Sequence, residues 1–168
     1  MLDNKLLIEI QEYIDTHLNI VMFDVCQSEI YYENNLCEEL PSIELEDFIN
    51  KNRMPTFQQV LFKLIDAKAS NELDIYKKAM IDRRHFSKIR SNSDYRPGKN
   101  TAIALVLALE LNTEEADKLL STAGYSLSDS DTFDLVIQFC LEKKIYDIDT
   151  VNEALDYFSL KPLIGVIK

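Results

Sequence analysis

Apolar residues recur at helical spacing along most of this 168-residue chain. Leu2, Leu6, Leu7, Ile10, Tyr13, Ile14 and Leu18 step at i, i+4 and i+7, which predicts an amphipathic first helix. Residues 19–26, NIVMFDVC, form a short apolar run that fits a strand or a buried helix equally. Residues 27–43 show no clear periodicity, and residues 44–51 predict a short helix. Met54-Pro55-Thr56 reads as a boundary, with Thr56 able to cap the next helix. Phe57, Val60, Leu61, Leu64 and Ile65 make the apolar stripe of that helix, over residues 56–69.

The order of signals after residue 70 is more specific. Asn71 can cap a short helix, with Asp74 three residues on in a capping-box-like position. Ile75, Tyr76 and Ala79 fall on its inner face, and Met80-Ile81 make a tight turn. Asp82 can cap the next helix, residues 83–91, in which Phe86 and Ile89 point inward. Arg83, Arg84, Ser87, Lys88 and Arg90 point outward. Residues 101–111, TAIALVLALEL, are apolar almost all round, which predicts a central buried helix. Asn112 and Glu115 form a capping box for a further helix carrying Ala116, Leu119, Leu120 and Ala123, which stops at Gly124. Ser128 or Ser130 opens another, with Phe133, Val136, Ile137, Cys140 and Leu141 inward and Lys143-Lys144 at its end. Asp149 opens the last, with Val151, Leu155 and Phe158 inward. The expectation is an all-α fold whose core includes Leu61, Leu64, Ile75, Ala79, Phe86, Ile89, Leu105, Leu109 and Leu119.

Charge changes the picture. The net charge is −11, yet it is divided by region. Residues 1–50 hold twelve acidic residues against one basic, residues 51–100 twelve basic against five acidic, and residues 101–168 twelve acidic against five basic. Between Tyr76 and Lys99 eight basic residues face two acidic ones. A basic stretch centred on one helix of an acidic chain points to a nucleic-acid surface.

The helix–turn–helix order over residues 71–91, the PGKNT opening at 97–101 and the five successive helices of residues 56–124 resemble the lambda-repressor-like helix-turn-helix family. Met80 stands at the turn where such motifs often place glycine. The resemblance implies double-stranded DNA as partner, with the start of the second motif helix at base edges. By position Arg83 and Arg84 would read bases, since arginine matches guanine O6 and N7. Ser87, Lys88 and Arg90 would meet a base or phosphate, and Asn92, Arg96 and Lys99 in the next loop would hold backbone. The implied organisation is an acidic segment at 1–54, the motif unit at 55–125 and a helical extension at 126–168, which in repressors of this fold often serves a homodimer. The module with such a tail is also similar to that of uncharacterised bacterial proteins, some with catalytic domains attached.

Other chemistry has little material. His17 and His85 are the only histidines and neither neighbours a nucleophile, so no catalytic residue is expected. No glycine-rich phosphate loop exists, and the acidic clusters lack a calcium-loop glycine, so neither cofactor nor metal is expected. Cys26, Cys37 and Cys140 form no CxxC pair. No run reaches the ~20 apolar residues of a membrane span, and the acidic N-terminus lacks a signal peptide's basic start. A cytoplasmic protein is expected. Three functions stay open: a DNA-binding transcriptional regulator; a protein-interaction module; and a phage or mobile-element inhibitor whose acidic segment mimics DNA or masks the basic helix.

Overall fold

The computed structural model of the chain describes residues 4–21 and 42–165. Among these the architecture is all-helical, with no strand. The elements are α1 (Asn4–Val21), α2 (Ser42–Asn52), α3 (Phe57–Ala67), α4 (Glu72–Lys78), α5 (Arg83–Ser91), α6 (Lys99–Ala108), α7 (Thr113–Thr122), α8 (Thr132–Glu142) and α9 (Ile148–Tyr157). Expectations for Leu2 and for residues 22–41 lie outside the described residues, as does the side chain of Leu18. Residues 19–21 belong to α1, which answers the strand-or-helix question for that part of the run.

Short-range chemistry sets the helix starts. Thr56 and Gln59 bond each other's backbone N–H in a full capping box, as do Asn112 and Glu115. Asn71 and Asp82 cap α4 and α5 through their side chains. Three starts differ from the expectation. Gly98 is the N-cap of α6, so Lys99 lies inside the helix rather than in the loop before it. Asp131, not Ser128 or Ser130, caps α8 through the Phe133 N–H. Asp147, not Asp149, caps α9, because its carboxylate reaches both the N–H and the hydroxyl of Thr150.

Helix ends repeat one device. In α3, α4, α6, α7, α8 and α9 the chain turns at a left-handed residue: Ala69, Met80, Glu110, Gly124, Lys144 and Ser159. One residue later an N–H returns to a carbonyl five residues back, as in Ile81 to Tyr76, Leu111 to Val106 and Ile145 to Cys140. Only Gly124 has no Cβ to strain.

The core is built around α6. Its residues 102–108 are all buried, as is Leu109. Helices α4 and α7 pack on α6, α3 and α8 pack on α7, and α9 packs on α8. Of the expected core residues, Leu61, Ile75, Ala79, Phe86, Ile89, Leu105, Leu109 and Leu119 are buried. Leu64 is only half-buried, because the inward stripe of α3 runs through Phe57, Val60, Leu61 and Ile65.

The acidic first helix joins this core. Ile10 and Ile14 of α1 are buried in it, and α1 packs along α8. The Tyr13 hydroxyl donates to Glu142 at 2.8 Å, and its ring meets Phe139 edge-on at 5.5 Å. Glu9 pairs with Lys143 at 3.1 Å. No described helix is long and apolar enough to cross a membrane.

Candidate nucleic-acid interface

Helix α5 is held from behind and presents charge in front. Phe86 and Ile89 are buried, and the Phe86 ring lies 5.7 Å from Tyr76 and 6.1 Å from Phe62. The helix therefore has one rotational setting, and Arg83, Arg84, Ser87, Lys88 and Arg90 are exposed. The turn into it places Met80 at φ 52°, a conformation L side chains rarely adopt. Asp82 then accepts the Arg84 N–H at 2.8 Å, which ends the turn and starts the helix.

The eight expected site residues divide by what they already touch. Arg83 and Arg84 occupy the first two positions of α5 and meet no carboxylate within 4 Å among the described residues. Ser87 is exposed one turn later. The Lys88 ammonium lies 4.3 Å from the centroid of the Tyr95 ring, a cation–π contact that leaves it facing solvent. The Arg90 guanidinium turns back to Glu72 at 2.9 Å, and its carbonyl accepts the Gln58 amide. Asn92 uses its side-chain oxygen to accept the Asp94 N–H at 3.0 Å. Arg96 is exposed at a groove of about 560 Å³ between the α5–α6 loop and the start of α3, which Arg53 also lines. Lys99 is apart from the rest. Its ammonium donates to Asp134 at 2.6 Å, and that carboxylate is 1% exposed. Lys99 therefore fastens α6 to α8 instead of facing outward with Arg83 and Arg84.

Three contributors lie outside the eight expected site residues. Tyr95 receives Lys88 on its face and bonds the His85 ring at 3.1 Å through its hydroxyl, tying α5 to the loop after it. Arg53 shares the groove with Arg96 across 43 positions of sequence. Lys77 is exposed at the end of α4, while its neighbour Lys78 pairs with Glu110 at 3.1 Å. Among these only Lys77 lay within the counted basic cluster. Nothing in residue spacing announces a tyrosine platform or a cation brought from another helix.

The groups with displaced proton affinity lie on other elements. Burial pushes the Cys140 thiol up to about 12. Burial, then the hydrogen bond to Glu142, raises the Tyr13 phenol above its ordinary range. Burial also raises Tyr146, with Glu110 and Glu115 adding to it. Among the described residues no group of three or more His, Cys, Asp or Glu is placed to hold a metal ion. The arrangement around α5 can thus recognise an anion by donors and charge. No protein-family model, curated protein or solved structure matches this chain.

Proposed function

We propose that this chain is a lambda-repressor-like helix-turn-helix protein that binds double-stranded DNA through α5 and regulates transcription in the cytoplasm. The observation that carries this reading is the pair Arg83 and Arg84, exposed and without carboxylate partners among the described residues, at the start of a helix anchored by Phe86 and Ile89. The first turn of such a helix is the part that reaches base edges in the major groove. Each guanidinium offers two parallel donors to guanine O6 and N7. Ser87 follows on the same face, and the exposed Lys88 and Arg96 would supply phosphate contacts. Arg90 and Asn92 brace the motif through Glu72 and Asp94.

The test is selection from a randomised duplex library, followed by titration of the enriched duplex at two salt concentrations. The parent should enrich a defined sequence, and its affinity should fall with salt by a slope of ~0.9 per phosphate neutralised. Arg83→Ala or Arg84→Ala should lose about 1–3 kcal/mol of discrimination at one base pair. A double variant that binds the selected duplex like the parent would sink the reading.

One observation favours a protein partner as well. Every residue from 43 to 55 is exposed, including Ile43, Leu45, Phe48, Ile49 and Met54. Masking of α5 by α1 gains no such support, since α1 packs along α8 and its Glu9 pairs there with Lys143.

A further inference from the structure

Five of the eight large apolar side chains exposed among the described residues fall between Ile43 and Met54. Three of them make a stripe. At about 100° per residue, Leu45, Phe48 and Ile49 lie within ~100° of one another on α2. Phe48 is 65% exposed, Leu45 48% and Ile49 43%. Among the described residues nothing covers this stripe, and an exposed apolar stripe on a helix marks a contact surface.

The charges on α2 specify what fits that stripe. Glu44, Glu46 and Asp47 fill its first half, and Lys51 closes it, followed by Arg53. Glu44 and Lys51 are two turns apart and fall on the same flank of the stripe. Two copies aligned in parallel would turn the flank carrying Glu44 and Lys51 towards the partner's opposite flank, where α2 has Glu46 and no basic residue, so Glu44 would gain no cation. Two copies aligned antiparallel, related by a two-fold axis near the middle of α2, would set each Glu44 against Lys51 of the partner subunit. In antiparallel helix pairs, residues on the same flank face each other in this way. The apolar stripes then meet between the two charge pairs.

We infer that α2 is a homodimerisation helix, pairing antiparallel with α2 of a second copy through Leu45, Phe48 and Ile49, with Glu44 and Lys51 setting the direction. This surface is self-complementary, as a two-fold interface requires. It is independent of whether α5 binds DNA. Two paired helices of 11 residues form a small interface, so the dimer is weak and concentration-dependent.

Sedimentation velocity of the full chain over about a hundredfold range of concentration tests this. The parent should pass from monomer towards twice the monomer mass. Phe48→Glu should raise the dissociation constant by at least about tenfold. Its helix content should be unchanged, because residue 48 is solvent-exposed. Glu44→Lys and Lys51→Glu should each weaken association a few-fold, and the double exchange should restore it. A parent that stays monomeric, or a Phe48→Glu chain that associates like the parent, overturns the inference. A double exchange no better than the singles overturns the antiparallel direction, and with it the inference as stated.

Discussion

Asp134 is the residue on which the joint between the motif helices and the tail depends. One carboxylate oxygen accepts the Lys99 ammonium at 2.6 Å and the Ser128 N–H at 2.8 Å, and the other has no hydrogen-bond partner among the described residues. A buried carboxylate stripped of its cation retains its desolvation cost and loses the compensating attraction. Lys99→Met should therefore lower unfolding free energy by about 2–3 kcal/mol, below the range for fully buried pairs because Lys99 is 30% exposed. Chemical denaturation measures this, and DNA affinity per folded molecule should barely change. Asp147 has the opposite setting, near the surface. Hydrogen bonds from the Thr150 hydroxyl and N–H hold its carboxyl below the ordinary value of 3.8. A carboxylate depressed in the folded state stabilises above its unfolded value, and that contribution disappears as pH falls through the folded one. Asp147→Ala should cost about 1 kcal/mol at neutral pH, as for other lost caps. The gap between parent and variant should close below pH ~4 in pH-dependent thermal melts. Sequence order made Arg83 and Arg84 legible as an exposed pair, because a cap and two inward residues fix which way α5 faces. It could not separate Lys99 from them, since its partner is 35 positions away and enters from another helix.

Helix starts and helix ends were not equally legible. Starts use side chains that announce themselves, such as Asn71, Asp82 and Asn112, and where two carboxylates or hydroxyls compete nearby, as at α8 and α9, the choice turns on geometry. Ends use backbone. Five of the six left-handed terminations carry Ala, Met, Glu, Lys or Ser, so glycine marks only the one at Gly124. What they share lies one position further on, where the N–H returns to the last turn of the helix; at five of the six that residue is apolar (Ile81, Leu111, Tyr125, Ile145 and Leu160), and after Ala69 it is Ser70. An apolar residue there packs against that turn and stabilises the bend without glycine. Left-handed residues with a Cβ are nonetheless strained, most of all when β-branched. Lys144 is exposed, which makes it a clean reporter. Lys144→Gly should raise stability by about 0.5 kcal/mol, the relief of strain less the greater freedom of glycine when unfolded. Lys144→Val should lower it by about 1 kcal/mol in the same denaturation assay.

At the scale of the whole molecule, charge and packing divide the chain differently. Charge marks off residues 1–50 as a separate acidic block, but Ile10 and Ile14 are buried with residues of the tail. Periodicity showed α1 to be amphipathic and could not show which surface it covers. Ile10→Ala should cost about 3 kcal/mol, within the range for large-to-small changes in a packed core, and unfolding should remain a single transition. A separate early transition for α1 would show it to be a loosely attached arm. The contact between Tyr13 and Glu142 spans 129 positions. On the ribosome α1 is made well over a hundred residues before the helix that covers it. At ~5–20 residues per second, Ile10 and Ile14 wait on the order of ten seconds before α8 emerges. During that interval an apolar, acidic helix is available to chaperones and to other nascent chains, so the yield of folded protein should respond to synthesis rate more than its final stability suggests.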